Sequence, residues 1–283
     1  MWFLSILILI PIFFLLGANS LPAPVEKLFD LVAQDDSSPP AQTVALAFLV
    51  GVLISSTPLH LFGRYLSTLV HELGHAFSAG LLGGRPQQIT ISLDRSGLAT
   101  HLPPENWGKL RATLVSSSGY IAPSVASLAA IRATQIGYPQ SWFVYAVATL
   151  AIAIIFLVRN FWGLFWTIAA VTASYFAARY LPAEWIAASV PVIAGYLAIE
   201  GFRDVRTQQK VVKYSPGSGC DAEAIAHMWS MKPKNTARLH TLIVIAVSGF
   251  ASYLAIKPYY SEITAWLNEF VVTRIREQIE SKL

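Results

Sequence analysis

The sequence predicts an all-α polytopic membrane protein with seven to eight hydrophobic helices and a small β-hairpin beside one of them. Three observations predict this class. Hydrophobic residues make up 54% of the 283 residues, and charged residues make up 13%, against roughly 25% in a soluble domain. The charges are spaced so that apolar runs of about 20 residues remain, which is the length that crosses a hydrocarbon layer. Because lipid cannot satisfy backbone polar groups, we expect these runs to be helical.

The charge balance and the cysteine count exclude several other classes. The chain has 20 Lys and Arg residues against 16 Asp and Glu residues, a net charge of +4. This excess is too small to indicate a nucleic-acid partner, and the asymmetry of membrane loops accounts for it. A single cysteine, Cys220, excludes an intrachain disulfide. Membrane lipid is therefore the first expected partner, and no nucleic acid is expected.

Runs with no charge or one charge place the helices along the chain. They are residues 1–25, 37–63, 65–84 with Glu72 alone, 112–131, 133–158, 160–178, 180–199 with Glu184 alone, and 239–256. We interpret the first run as a membrane helix or signal anchor. A cleaved signal peptide is the alternative, although no Lys or Arg precedes the apolar run.

These runs predict five parts of the chain. They are an N-terminal membrane helix at 1–20, a membrane-embedded core at 42–202, a basic polar insert at 203–238, a last membrane helix at 239–256 and an amphipathic surface tail at 257–283. Alternating polar and apolar residues over 87–102, centred on Asp94–Gly97, predict the hairpin.

The charges of the loops also predict a topology. If every run crosses fully, the acidic loop 19–41 and the basic insert 203–238 lie on the same side, against the positive-inside rule. If residues 65–84 instead enter the membrane and return, most basic residues lie inside and the acidic loop lies outside. Such a segment is unusual for a structural helix and reasonable for one that holds a site.

Residues 71–75 of that segment read His-Glu-Leu-Gly-His. Residues at positions i and i+4 share one face of a helix, so His71 and His75 can bind one Zn²⁺. Glu72 reaches a water molecule activated by the metal and acts as the general base. An accidental match is the alternative, but ionisable groups in a membrane helix are costly and are functional by default.

The segment HELGHAFSAGLLGGRPQQITISLDRSGLATH (71–101) resembles the membrane-embedded zinc metallopeptidases of the site-2 protease type, closest to their compact bacterial M50B-like branch. The stretches SSSGYIAPSVASL (116–128), LVRNFWGLFW (157–166) and GSGCDAEAIAHMWSMKP (217–233) are also similar to this family. The resemblance runs from about residue 45 to 235. It therefore covers most of the chain, and its first motif is the most specific.

The resemblance implies a zinc-dependent endopeptidase of the bacterial inner membrane. Its substrate would be a peptide or a membrane protein, cleaved within or next to the membrane. The main alternative is a membrane-anchored regulator or scaffold of the same fold without turnover. A zinc peptidase that acts on soluble chains and a transporter are further alternatives, the last without paired halves to support it. The oligomeric state is left open.

The resemblance also implies the third metal ligand. Asp221 matches the Asp of the family's Ser-Asp-Ala segment, although an N-cap role is its alternative because a helical pattern follows. Asp204, Cys220 and His227 are further candidates. The chain lacks the Leu-Asp-Gly motif of the larger site-2 proteases, so the assignment depends on this segment.

Two further interpretations concern the substrate. Asn160 either contacts the peptide and supports the oxyanion or caps the turn between two helices. The hairpin offers a strand edge at residues 88–93 for an unwound substrate. His101 faces the site if the hairpin folds back over it.

Overall fold

The computed structural model describes residues 39–259, which form eight α-helices and one two-stranded sheet. In chain order these are α1 (Ala41–Ser55), α2 (His60–Leu81), β1 (Arg85–Ile91), β2 (Gly97–Leu102), α3 (Lys109–Gln135), α4 (Pro139–Phe156), α5 (Phe161–Tyr180), α6 (Ala183–Tyr214), α7 (Asp221–Trp229), α8 (Pro233–Ile256) and a 3₁₀ turn at Lys257–Tyr259. The predicted helix at 1–20 and nearly all of the tail at 257–283 lie outside the described residues.

Five of these helices, α3, α4, α5, α6 and α8, are long and apolar enough to cross a membrane. Helices α1 and α2 meet the same test only as a pair, and they meet at 103°, as in a broken span or a re-entrant loop. The apolar runs predicted between residues 37 and 256 are helical, which confirms the fold class, but the run 37–63 breaks after Ser55 and its last residues belong to α2. The described part of the chain carries five or six spans, because α1 and α2 count as one at most.

The predicted polar insert at 203–238 is mostly helical in the structure. Helix α6 passes through the predicted boundary at residue 202 and ends only at Tyr214. Pro216 and two glycines with positive φ, Gly217 and Gly219, then form the loop before α7. Helix α6 therefore joins the predicted core to the predicted insert, because its charged residues continue the helix until the Pro- and Gly-containing loop ends it.

Helix α6 is the centre of the bundle. Within its apolar window 61% of the residues are buried, against 11% for α5 at the periphery. Its contact with α1 depends on Gly51 and Gly195, since a methyl group on either glycine would collide with a backbone carbonyl oxygen of the opposite helix. Small residues allow membrane helices to approach this closely.

The hairpin packs against α2 through a second apolar cluster. Leu69 and Leu73 of α2 contact Ile89 and Ile91 of β1, together with Val158 after α4. The strands are antiparallel with Ile89 opposite Ala99 and Ile91 opposite Gly97. This packing fixes the hairpin directly beside the turn of α2 that carries the two histidines.

The outer edge of β1 is already paired. The Ile89 N–H donates to Leu157 O at 2.8 Å, and the Arg159 N–H donates to Ile89 O at 3.1 Å. The Asn160 side chain continues this pairing, because its Oδ1 accepts from the Ile91 N–H at 3.0 Å and its Nδ2 donates to Ile91 O at 2.7 Å. The expectation that residues 88–93 offer a free strand edge is therefore wrong. Among residues 39–259 it is the outer edge of β2 that has no strand partner, and the Ala99 N–H on that edge faces Glu72.

Candidate metal centre

Helix α2 directs both histidines of its motif to one point. His71 and His75 lie one turn apart, and their Nε2 atoms are 3.2 Å from each other. His75 is 7% exposed, and its Nδ1 lies 2.7 Å from Val115 O on α3. A hydrogen bond from Nδ1 to a carbonyl fixes the ring and leaves the Nε2 lone pair free for a ligand bond.

Asp221 supplies a third atom at the same point. Its Oδ2 lies 3.6 Å from His75 Nε2, and within residues 39–259 the three residues His71, His75 and Asp221 form a group whose ligand atoms all lie within 4.8 Å of one another. Bonds of about 2.0–2.2 Å to a tetrahedral ion would separate ligand atoms by roughly 3.3–3.6 Å. This group could therefore hold a metal ion.

Gly119 of α3 leaves the space that an ion would need. A methyl group at this position would lie 2.6 Å from His71 Nε2 and closer still to His75 Nε2. Every other residue type would place its Cβ against the two ligand atoms. The space at Gly119 is an observation independent of the three possible ligand side chains. It fits an ion bound between α2 and α3.

The loop before α7 determines where Asp221 lies. The Glu223 carboxylate accepts hydrogen bonds from the Gly217 N–H at 2.9 Å and the Gly219 N–H at 2.8 Å. These bonds hold the pKa of Glu223 below its usual value. Cys220 is the N-cap residue of α7, and no side chain caps the helix. The alternative of Asp221 as an N-cap is therefore wrong, and its carboxylate turns to His75 instead.

Glu72 lies beside the metal group on the wall of a cavity of about 680 Å³. It is 5% exposed, and Gly97 of β2 packs against it, since a methyl group there would lie 2.7 Å from Glu72 Cγ and collide with Oε1. The same cavity is lined by His71, His75 and Asp221. The carboxylate is thus held between α2 and the hairpin with access to the cavity.

Asp204 of α6 contacts the other side of His71. Its Oδ2 lies 3.7 Å from His71 Nδ1, the nitrogen that faces away from His75. It is not part of the three-residue metal group. The structure therefore places Asp204 behind the candidate ligand His71, in the position from which carboxylates orient metal-binding imidazoles.

A family model described as Peptidase M50B-like matches residues 43–255, which is most of the chain. The chain belongs to the Peptidase M50B-like family. No curated protein and no solved structure gives a significant match. The resemblance to site-2-type peptidases is confirmed, and the chain has a membrane metallopeptidase-type fold.

The other residues that the sequence suggested for this M50B-like site lie outside the three-residue metal group. Cys220 and His101 line the cavity without belonging to the metal group, and His227 is exposed. Asn160 does not line the cavity, and both ends of its amide are bonded to Ile91. The amide supports β1, and Asn160 is the N-cap residue of α5 without a side-chain cap bond, as the alternative of a residue at the turn between two helices expects. A role of Asn160 toward the substrate stays a prediction.

Sequence reasoning missed Gly97 and Gly119, which shape the M50B-like site by having no side chain. It also missed Glu223, which holds the loop before Asp221. The available signal for Gly119 was its place in the family-like stretch 116–128. Nothing in the local pattern shows which partner a helical glycine faces.

Proposed function

We propose that the chain is a zinc-dependent, membrane-embedded endopeptidase that cleaves peptides or membrane proteins within or next to a bacterial inner membrane. The observation that carries this proposal is the convergence of His71, His75 and Asp221 on one point of a cavity that Glu72 also lines. Two imidazoles and a carboxylate leave one tetrahedral position open, which is the arrangement of catalytic rather than structural zinc.

Zinc in this site would supply a water of lowered pKa and polarise the scissile carbonyl. Glu72 accepts the proton from the attacking water and later gives it to the leaving amine. His75 is held by Val115 O and His71 is flanked by Asp204, so both imidazoles keep their Nε2 atoms toward the cavity. Gly97 of the hairpin packs against the Glu72 side chain and limits its positions.

The free edge of β2 is the proposed binding surface for the substrate. The backbone groups of Ile89 and Ile91 point away from β2, so their partners Ala99 and Gly97 point away from β1. Gly97, Ala99 and His101 all line the cavity. A substrate segment in extended conformation can therefore pair with β2 and present its carbonyls beside Glu72.

Replacing Ala99 by Pro should raise the KM for peptide cleavage by about 10-fold, with a smaller fall in kcat. Proline removes the Ala99 N–H, which faces the Glu72 carboxylate at the strand edge, without removing a β1–β2 bond. One or two lost hydrogen bonds correspond to about that factor, and the loss of a Glu72 partner accounts for the fall in kcat. Steady-state cleavage of unfolded β-casein in detergent measures both KM and kcat. Ala99→Ser is the control, because serine keeps the backbone N–H. A KM that stays at the wild-type value rules out pairing at this edge.

The metal itself can be tested by removal. The purified protein should contain about one zinc ion per chain. Chelation with 1,10-phenanthroline should abolish casein cleavage and lower the melting temperature, because a bound ion stabilises the folded state. Added Zn²⁺ should restore both. Cleavage that persists in metal-free protein contradicts the proposed function, as does wild-type protein that binds zinc and cleaves none of a broad peptide set.

A further inference from the structure

Tyr120 of α3 lies at the metal centre and has no role in the mechanism described so far. It follows Gly119, the residue that leaves space for the ion, and it lines the same cavity as Glu72. Its ring meets the His71 ring edge-on, with centroids 4.6 Å apart and an interplanar angle of 84°. The tyrosine is therefore next to a ligand imidazole and within the reaction cavity.

His240 of α8 also contacts this ring. The two rings stack with centroids 5.3 Å apart and an interplanar angle of 18°. His240 is 1% exposed, and its Nδ1 lies 3.0 Å from Gln208 Oε1 and its Nε2 3.0 Å from Ser117 Oγ. Because both ring nitrogens are hydrogen-bonded, the orientation of the His240 ring is fixed. The Tyr120 ring therefore contacts two histidine rings.

The Tyr120 hydroxyl has no hydrogen-bond partner among residues 39–259. The structure gives Tyr65 Oη a bond to Leu93 O at 2.7 Å and Tyr196 Oη a bond to His60 O at 3.2 Å, and none to Tyr120. Tyr120 Oη is also not among the fully buried unpartnered polar atoms, so the cavity can reach it. A rigid side chain with a free donor in a reaction cavity is preorganised for a ligand.

One other hydroxyl on the cavity wall is already engaged. Thr68 Oγ1 donates to Arg95 O at 2.9 Å, and the His101 ring packs against Trp107 with centroids 5.3 Å apart. The carboxylates of Glu72, Asp204 and Asp221 accept hydrogen bonds and donate none when ionised. Tyr120 thus offers a neutral hydroxyl donor on a ring that contacts a metal-group imidazole.

We propose that Tyr120 is a catalytic residue whose hydroxyl donates a hydrogen bond to the substrate carbonyl oxygen. This inference rests on the proposed peptidase function. As the water oxygen adds to the carbonyl carbon, the electron pair of the C=O bond moves onto the carbonyl oxygen. Tyr120 stabilises that charge and keeps its own proton. Donors fixed in advance toward developing charge are among the strongest contributions to catalysis.

The substitution Tyr120→Phe removes only the hydroxyl and keeps the ring between His71 and His240. We expect kcat for casein cleavage to fall about 100-fold, with KM and zinc content unchanged. The affinity for a phosphinic peptide, whose tetrahedral group imitates the transition state, should fall by a similar factor in calorimetry. Tyr196→Phe is the matched control, because its hydroxyl bonds to a backbone carbonyl away from the metal group and its loss should leave kcat unchanged.

Three results would overturn the assignment of Tyr120. They are an unchanged kcat with unchanged phosphinic affinity, a rise in KM at constant kcat, and a loss of zinc, which would make the hydroxyl a structural group. Failure of the peptidase proposal is recognised separately, since in that case the wild type would cleave no casein or would cleave it without zinc. A Tyr120→Phe variant with full activity beside an inactive Glu72→Gln variant refutes the Tyr120 proposal alone.

Discussion

Replacing Glu72 by Gln is expected to leave zinc bound and to reduce peptide cleavage by at least 100-fold, toward the roughly 10⁴-fold upper range of general base catalysis. The amide has nearly the same volume as the carboxylate, so it fits the space beside Gly97. It cannot accept a proton from water at neutral pH. Zinc content by elemental analysis and casein cleavage in the same detergent preparation measure the two properties separately.

Glu184→Gln is the matched control for this change. Glu184 lies in the first turn of α6 and is exposed, so the same chemical substitution there should alter neither zinc content nor cleavage. If Glu72→Gln retained more than a tenth of the wild-type kcat, Glu72 would not be the base. If the wild type itself bound zinc but never cleaved, the regulator or scaffold without turnover would be the better interpretation.

The local parts of the fold could be predicted from the sequence. Charge spacing located the five spanning helices, and alternation located the hairpin to within two residues at its start, 87 against Arg85. The spacing of His71 and His75 placed both on one helix face because it depends only on helix geometry. These features are set by residues close in sequence, so no knowledge of the packing was needed.

The features that depend on packing were not predictable in the same way. The bend of 103° between α1 and α2 lies inside the charge-free run 37–63, which charge spacing treats as one segment. The pairing of Asn160 with Ile91 joins residues 69 positions apart. Asp221 was assigned from a family resemblance, and the sequence alone left Asp204 open, since both are carboxylates near polar segments. Only the three-dimensional arrangement separates a group beside the Nε2 atoms from one behind Nδ1.

Separate substitutions of Asp221 and Asp204 should therefore lower the zinc affinity to different extents. Asp221→Ala removes an atom of the metal group, and we expect the affinity for zinc to fall by more than 100-fold, with loss of cleavage. Asp204→Asn removes the charge behind His71 and keeps the shape of the side chain. Loss of such an outer partner typically costs about 10–100-fold in metal affinity, so this variant should still bind zinc at high concentration.

Competition with a fluorescent zinc chelator measures both affinities over the required range. Cys220→Ala is the control, because Cys220 precedes Asp221 and lines the cavity without belonging to the metal group, so its affinity should match the wild type. A larger loss in Asp204→Asn than in Asp221→Ala would reverse the two roles. A zinc affinity that falls only in Cys220→Ala would identify the thiolate as the ligand, since sulfur also binds zinc at about 2.3 Å. The order of the three affinities thus identifies which atom of α6 or of the α7 N-terminus completes the site.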